Sequence, residues 1–255
     1  MKITIIGGGN MGGAIAKGLV ESNYIPPQDI TIINGSRKKE YDFGITSVVG
    51  DYSSLHQADI IILTVKPWQI KDLLAEHSDK LAKTEQILIS AASGISLSEL
   101  QEWSIANKAL FRVMPNTAIA QRQSMNFICS LNADCHQKNM VAAMFKELGK
   151  VEFIDEKLFP AVTALSGCGI AYAFRYIRAA MEGGIEMGIN SDLAKNTVLQ
   201  TLRGAIELLE ANDSHPEAEI DKVTTPGGIT IKGLNEMEHA GFTSAVIRGL
   251  KASGK

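Results

Sequence analysis

Cysteine is scarce in this sequence of 255 residues, and neither sign of charge dominates it. The three cysteines form no CxxC pair, which argues against a disulfide framework and a structural zinc site and favours a reducing cytoplasm. The 25 Lys and Arg residues against 28 Asp and Glu leave a net charge of -3. Because the basic residues form no long stripe, no nucleic-acid partner is expected. The five histidines do not pair with Cys or carboxylates at ligand spacing, so no metal is predicted.

Long apolar runs are missing as well. The longest strand-like run, Ile60–Val65, falls far short of the roughly 18 residues that span a bilayer. The first residues, Met1–Ile6, run directly into a strand-like segment without an apolar leader or a cleavage site, so no export is expected. With 45% hydrophobic and 21% charged residues, the composition is that of a soluble globular protein with a sizeable core. We therefore expect a soluble, cytoplasmic protein with no membrane partner.

The first half of the chain alternates β-branched runs with helical patterns, as in parallel strands joined by crossover helices. We predict strands at residues 2–6, 30–33, 60–65, 87–91, 110–114 and 151–154. From residue 160 onward the patterns are almost exclusively helical, with helices predicted at 161–187, 191–212 and, with interruptions, 228–252. The sequence thus predicts an α/β fold. A Rossmann-like dinucleotide-binding domain (1–157) is followed by an all-α domain (158–255).

The helical domain has more apolar surface than one core-facing stripe on each helix would give. Within the predicted helix 193–209, apolar residues fall on more than one face. One explanation is a homodimer formed through the C-terminal helices, with assembly of dimers into a larger ring as an open alternative. The other is a helix buried within its own domain. The sequence alone does not distinguish between these two explanations.

A glycine-rich motif follows the first predicted strand and opens an amphipathic helix. In the segment Gly7–Gly12, Gly7 allows the tight turn, Gly9 lets the backbone approach a pyrophosphate, and Gly12 lets the helix pack on the strand. The helix N-terminus, which includes Asn10 and Met11, offers unpaired N–H groups to the phosphates. A glycine turn without a ligand and a flavin site are the weaker alternatives. The motif predicts a dinucleotide site.

The end of the second predicted strand indicates which dinucleotide binds. NAD-binding proteins usually place an acid there for the ribose 2'-hydroxyl, but this chain has Asn34 followed by Ser36, Arg37 and Lys38. These side chains can bind a 2'-phosphate, and no carboxylate repels one. NADPH is therefore predicted as the cofactor, with NADH as a weaker substitute. An ordinary solvated basic loop is the alternative.

Six stretches in order along the chain resemble pyrroline-5-carboxylate reductases. They are the glycine-rich motif and the segments 65–67, 90–96, 112–117, 164–172 and 224–230. The sequence departs from the usual family pattern at Cys168 and Ile170, where the family has Ser and Pro, at Thr225, where it has Ser, and at Ala118, where it has Pro. The resemblance covers nearly the whole chain and implies an NADPH-dependent oxidoreductase that adds hydride to the C=N bond of 1-pyrroline-5-carboxylate, giving L-proline in the last step of proline biosynthesis.

The resemblance also implies roles for individual residues. Thr225, Gly227 and Gly228 would hold the substrate carboxylate, and Thr230, the one catalytic residue, would hydrogen-bond the ring nitrogen. A further set would line the nicotinamide half of the cofactor: Val65, Lys66, Pro67 and Asn116. A Pro-Gly-Gly turn capped by threonines explains the substrate loop without a ligand.

Three alternative functions stay open at this point. A related imine reductase or a β-hydroxyacid-type dehydrogenase would share the architecture, although the Thr-Pro-Gly-Gly loop argues against both. A non-catalytic NADPH-binding regulator would keep the fold and lack turnover, because fold alone does not establish activity. Cys168 and Ile170 are the features that keep this last alternative open.

Overall fold

The computed structural model describes residues 1–37 and 39–254. Two compact units divide the chain, Met1–Gly167 and Cys168–Lys255. This division falls ten residues after the domain boundary that the sequence predicts. The first unit is α/β and the second is all-α, so the predicted fold class is confirmed.

An eight-stranded sheet forms the centre of the first unit, with strand order β3-β2-β1-β4-β5-β6-β7-β8. The strands are β1 (Ile3–Ile6), β2 (Ile30–Asn34), β3 (Thr46–Val49), β4 (Ile60–Leu63), β5 (Ile87–Ser90), β6 (Ala109–Met114), β7 (Ser124–Leu131) and β8 (Gly149–Phe153). The strand order reverses at β1, between the β2 side and the β4 side. In open sheets of this kind, ligands bind outside the carboxyl ends of the strands at such a reversal.

Helices cover both faces of the sheet. They are α1 (Asn10–Glu21), α2 (Pro67–Glu76), α3 (Leu97–Trp103), α4 (Cys135–Lys146) and α5 (Phe159–Val162). On one face, Ile15 and Phe145 pack in a core cluster with Ile5, and on the other, Leu74 and Leu100 pack in a second cluster. Every residue of β1, β4 and β5 is buried, as expected for strands covered on both faces.

Two strands, β3 and β7, were not predicted from the sequence. β3 has four residues and pairs only with β2, so its pattern is too short to stand out. β7 does not alternate strictly between polar and apolar residues, and it buries the polar Ser124 and Asn126. It runs antiparallel to β6, with Leu110 opposite Leu131. The predicted final strand is confirmed as β8, which pairs parallel to β7. The sheet is therefore parallel except at one pair of strands.

The second unit contains five helices in its described residues. They are α6 (Gly169–Glu186), α7 (Ser191–Asn212), α8 (Pro216–Val223), α9 (Ile229–His239) and α10 (Phe242–Ser253). A π-helical turn, Thr163–Cys168, leads from α5 to α6. A Cβ built at Gly184 would lie 3.4 Å from the Cβ of Ala194, so small residues allow α6 and α7 to pack closely. The sequence pattern did not predict α8 as a separate helix.

Little of the second unit is buried within one chain. Among its described residues, Gly184 and Ala194 are the two that are buried. Apolar side chains on α7 stay exposed, including Leu193, Ile206 and Leu208. The alternative in which this helix is buried within its own domain is therefore wrong for the single chain.

One helical stretch, Glu156–Glu186, is long and apolar enough to cross a membrane by length and composition. Its best window of 18 residues has a mean hydropathy of 1.2, and 11% of that window is buried. The sequence predicts no such segment by its uninterrupted apolar runs, which are all short. The core helix of a soluble protein meets the same criterion.

Candidate active site

The glycine-rich loop lies between β1 and α1, at the carboxyl end of the sheet. Gly7 has a φ of +111°, and a Cβ there would lie 2.9 Å from the Thr64 carbonyl carbon. A Cβ at Gly12 would lie 2.1 Å from the Gly7 carbonyl oxygen. Both positions therefore require glycine, the first for its backbone conformation and both for the close approach of neighbouring backbone.

Gly9 differs from these two glycines. It is the N-cap of α1, and no described side chain caps that helix start. No described atom lies within 4 Å of a Cβ built at Gly9, so the space beyond it is open. Asn10 is exposed and Met11 half-buried on the first turn. An uncapped helix N-terminus facing open space fits a pyrophosphate group, because its N–H groups and its partial positive charge favour an anion.

Thr64, which directly follows β4, fastens the loop to the sheet. Two backbone oxygens lie within hydrogen-bond distance of the Thr64 hydroxyl. Thr64 Oγ1 is 2.7 Å from Gly7 O and 3.1 Å from Ile6 O. Next along the chain, Val65 and Lys66 lead to Pro67, the first residue of α2. Lys66 N donates to Gln69 Oε1 over 3.1 Å, which fixes the backbone at this helix start. The structure thus brings the predicted segment 65–67 beside the glycine loop, at the reversal of strand order.

The end of β2 presents a mixture of structural and exposed side chains. Asn34 is 6% exposed, and its Nδ2 donates to Ser47 Oγ at 3.1 Å and to Val48 O at 3.2 Å. Its amide hydrogens therefore hold β3 against β2. Ser36 and Arg37 are exposed just beyond the strand, and the predicted Lys38 lies outside the described residues.

Two residues that the sequence analysis did not assign reach the glycine loop from beyond β2. Tyr41 Oη donates to Gly8 O over 2.9 Å, and Lys39 Nζ lies 3.4 Å from the same oxygen. Burial raises the pKa of the Tyr41 phenol, so the group stays protonated and remains a donor at neutral pH. Lys39 also lies over the Tyr41 ring, with Nζ 5.4 Å from its centroid. A cation is thereby held beside the loop that is predicted to bind phosphates.

Asn116 lies beyond the carboxyl end of β6 and is 9% exposed. Its Oδ1 accepts from Ala118 N, and its Nδ2 donates to Ser166 Oγ, both over 3.0 Å. Its backbone N–H donates to Ser124 Oγ, also over 3.0 Å. The side chain is thus fixed in one orientation at the sheet edge where the sequence predicted a nicotinamide contact.

The predicted substrate loop belongs to the second unit. Gly228 N donates to Thr225 O over 2.9 Å, closing a turn in which Gly227 has a φ of +74°. Gly228 is the N-cap of α9, so Thr230 lies in the first turn of that helix, as the sequence predicted. No described side chain caps this helix start, and Ile229 is 87% exposed. The N–H groups of the first turn are therefore available to an anion.

The residues present fit a phosphorylated dinucleotide. The uncapped N-terminus of α1 and the open space at Gly9 suit a pyrophosphate, and exposed Ser36 and Arg37 suit a 2'-phosphate. In the part of the chain that the structure describes, no group of three or more His, Cys, Asp or Glu side chains is arranged to hold a metal. Fold and site together define an NADP-binding oxidoreductase with a Rossmann-like domain and a separate helical domain.

Comparison with known proteins identifies the family within this class. A pyrroline-5-carboxylate reductase from Glycine max is 35% identical to this chain over 98% of the chain and 92% of that protein. The chain belongs to the pyrroline-5-carboxylate reductase family. A pyrroline-5-carboxylate reductase from Arabidopsis thaliana is 36% identical over 100% of this chain and 93% of that protein. The β-hydroxyacid dehydrogenase alternative is thereby set aside.

Family models and a solved structure agree with this assignment. Residues 156–255 match the model described as pyrroline-5-carboxylate reductase dimerisation, and residues 2–94 match that described as NADP oxidoreductase, coenzyme F420-dependent. The crystal structure of Plasmodium falciparum pyrroline carboxylate reductase with NADP bound superposes with a TM-score of 0.93. It is 29% identical, and the match covers 100% of this chain and 95% of that one.

Proposed function

We propose that this chain reduces the C=N bond of 1-pyrroline-5-carboxylate to give L-proline, with NADPH as the hydride donor. The observation that carries the proposal is the turn Thr225–Gly228 opening the uncapped helix α9. By contrast, α3, α4 and α7 use Ser96, Asp134 and Asn190 as side-chain caps. The free N–H groups of α9 and its threonines form a cradle that suits a small carboxylate.

In this proposal each residue has a defined task. Thr225 and the turn at Gly227 and Gly228 bind the substrate carboxylate, with the free N–H groups of the first turn of α9 as its donors. Thr230 hydrogen-bonds the ring nitrogen and so orients the C=N bond. When bound, NADPH supplies the hydride that reduces the imine carbon. The ring nitrogen takes its proton from water before binding, so the residues act by positioning and electrostatics rather than as strong acids. The product is the secondary amine.

The cofactor would bind along the carboxyl edge of the sheet in the first unit. Gly7, Gly9, Asn10, Met11 and Gly12 would hold the pyrophosphate. The 2'-phosphate would lie against Ser36, Arg37 and Lys38, with Asn34 supporting the end of β2. Because no carboxylate occupies residues 34–39, NADPH is preferred over NADH. The nicotinamide half would lie against residues 65–67 and Asn116.

Turnover tests the reaction directly. Purified protein is mixed with NADPH and pyrroline-5-carboxylate, and the loss of absorbance in the reduced nicotinamide band is followed, with a repeat in NADH. Thr230→Ala should lower kcat/KM by about ten- to hundredfold, the effect of one hydrogen bond to a charged group. Thr230→Ser, which keeps the hydroxyl, should restore most of the activity. Thr197→Ala makes the same substitution on α7 and should leave the activity unchanged. No turnover despite NADPH binding would leave the regulator alternative.

We also propose that the functional unit is a homodimer formed through the C-terminal helices. The second unit buries little of its apolar surface in one chain, and it matches a model described as a dimerisation domain. Its helices also border an apolar groove of about 750 Å³, lined in part by Tyr172, Tyr176, Phe242 and Val246. A helix of a second copy would fill such a groove. Assembly of dimers into a larger ring remains part of the proposal.

We also propose that the protein is cytoplasmic. The three described cysteines are free thiols, with Cys129 buried and Cys135 exposed. Burial raises the pKa of the Cys129 thiol to about 12, so it stays protonated and unreactive. Free thiols fit a reducing compartment. Fractionation of cells that express a tagged chain would test this placement.

A further inference from the structure

The hydroxyl of Ser166 lies in the π-helical turn Thr163–Cys168, and the proposed reaction does not use it. Turns of this kind are uncommon and occur frequently at functional sites. Ser166 Oγ is 3.0 Å from Asn116 Nδ2, which places it beyond the carboxyl end of β6. A Cβ at the neighbouring Gly167 would lie 2.8 Å from Met114 Cε. The π-helical turn therefore lies against the Met114 side chain at the end of this strand.

The direction of the hydrogen bonds around Ser166 is fixed by Asn116. Asn116 Oδ1 accepts from the backbone N–H of Ala118, which identifies the oxygen of the amide. The other amide atom, Nδ2, must then donate to Ser166 Oγ. Ser166 thus accepts from Asn116 and keeps its own hydrogen for another acceptor. Across residues 1–37 and 39–254, no acceptor for this hydrogen is found, and Ser166 is only half-buried.

The position of Ser166 along the sheet edge indicates which part of the cofactor it faces. The adenine ribose binds at the end of β2 and the pyrophosphate follows β1. The nicotinamide half must then extend to the opposite side, toward the ends of β4, β5 and β6. The nicotinamide ring carries a carboxamide, whose carbonyl oxygen accepts hydrogen bonds. The protonated ring nitrogen of the imine is a donor instead, so it cannot be the partner of the Ser166 hydrogen.

We propose that the Ser166 hydroxyl donates a hydrogen bond to the carbonyl oxygen of the nicotinamide carboxamide. Asn116 is then a positioning residue that holds the hydroxyl in the donating orientation. This bond would fix the rotation of the nicotinamide ring and so the face from which hydride leaves. The inference rests on the proposed function for the identity of the cofactor, and its test measures binding without any imine present.

The test compares ligands that differ at the carboxamide. In Ser166→Ala the Kd of NADPH should rise about three- to tenfold, the change that one ordinary net hydrogen bond corresponds to. The Kd of 2'-phospho-ADP-ribose, which keeps the phosphates and lacks nicotinamide, should stay unchanged. The thionicotinamide analogue of NADPH replaces the acceptor oxygen with sulfur, a weak acceptor, so the wild-type protein and the variant should bind it equally.

Two matched variants complete the experiment. Ser166→Thr keeps the hydroxyl and should restore NADPH binding. Thr163→Val removes a hydroxyl of the same π-helical turn at nearly constant size and should leave NADPH binding unchanged. An equal loss of affinity for NADPH and 2'-phospho-ADP-ribose in Ser166→Ala would overturn the inference, and so would an unchanged NADPH Kd with a raised KM for the imine. Failure of the proposed reaction would appear only in turnover.

Discussion

Gly9 and Gly12 lie three residues apart in the same loop, yet their surroundings differ. A Cβ at Gly12 would lie 2.1 Å from Gly7 O and 2.5 Å from Thr64 Oγ1, so backbone would have to move. At Gly9 a Cβ would enter space that the described residues leave open. Substitution by alanine can therefore separate the part of this loop that serves folding from the part that serves the cofactor.

We expect Gly12→Ala to lower the free energy of unfolding by about 1–3 kcal/mol, the usual cost of overpacking, and to weaken NADPH binding as well. Gly9→Ala should change stability by less than about 0.5 kcal/mol and still weaken NADPH binding, because the new methyl group takes the place of the pyrophosphate. Thermal denaturation and NADPH titration measure the two effects. Normal NADPH affinity in Gly9→Ala would show that the pyrophosphate lies elsewhere.

Lys108, just before β6, is a buried cation to which no carboxylate of the described residues is bound. The residue is 1% exposed, and its Nζ donates to Leu81 O at 2.8 Å and to Lys83 O at 2.7 Å. A third acceptor, Gln86 Oε1, lies 3.3 Å away. Burial lowers the pKa of Lys108 to about 8, against a weaker raising effect of the Glu85 charge. The ammonium group thus joins the chain segments that lead into β5 and β6.

This shift predicts a stability that rises with pH. In the unfolded chain a lysine has a pKa of about 10.4, so between pH 8 and that value the unfolded state holds a proton that the folded state has released. Stability then increases with pH by at most about 1.4 kcal/mol per pH unit for this one group. Lys108→Met should lack this increase. Urea unfolding of both proteins at pH 7 and pH 9.5 measures the difference, and parallel pH profiles would contradict the shift.

At the scale of elements, the carboxylate of Glu156 connects β6 with the start of α3. Glu156 Oε1 accepts from Arg112 Nη1 at 2.9 Å and from Leu97 N, the first residue of α3, at 2.7 Å. The Arg112 guanidinium carbon lies 4.4 Å from the centroid of the Phe159 ring on α5. Arg112 has a side-chain exposure of 14% and Glu156 of 31%, so solvent screens this pair only in part.

Glu156→Ala should lower the free energy of unfolding by about 2–3 kcal/mol, because it leaves a partly buried guanidinium and a helix N–H without their acceptor. Glu156→Gln should cost less, since its amide oxygen can still accept from Leu97. Lys157→Ala is the matched control. It breaks the neighbouring Lys157–Asp155 pair, whose side chains are 76% and 55% exposed, and should change stability by less than about 0.5 kcal/mol. Equal effects of Glu156→Ala and Lys157→Ala would refute the role of burial.

The buried elements of the fold were predictable because their sequence patterns follow from burial. β1, β4 and β5 are covered on both faces, so they read as continuous apolar runs. β3 and β7 were missed for a physical reason. They lie on the flanks of the sheet, where β3 is partly exposed and β7 buries the polar residues Ser124 and Asn126, so neither strand shows the apolar pattern of a fully buried strand.

The candidate site was predictable where local backbone conformation creates it. The loop Gly7–Gly12 and the turn before α9 each follow from glycines at fixed spacing, and the structure has both turns. Tyr41 and Thr64 were not predicted, because they reach the loop through tertiary contacts. The link between Asn116 and Ser166 spans 50 positions of the chain, and no local pattern signals it.

At the scale of the whole molecule, the two units differ in how they are stabilised. The first has two core clusters, one on each face of its sheet. The second has no comparable core among its described residues, because only Gly184 and Ala194 are buried there. Exposed apolar side chains such as Phe174 and Val246, at 64% and 44%, would leave a single chain prone to association. The folded form of this unit should therefore depend on a second copy.

Such dependence predicts a thermal midpoint that rises with protein concentration, because association stabilises the folded state by mass action. Val246→Glu, which places a charge in the groove of the second unit, should shift the protein from dimer to monomer and lower the midpoint. Trp68→Glu is the matched control, since Trp68 is an apolar residue of the first unit with 75% exposure. Light scattering on eluted peaks and denaturation over a hundredfold range of concentration measure both effects. A monomeric wild-type protein with a midpoint independent of concentration would refute the dimer. In that case the helical unit would have to be stable in a single chain despite its exposed apolar surface.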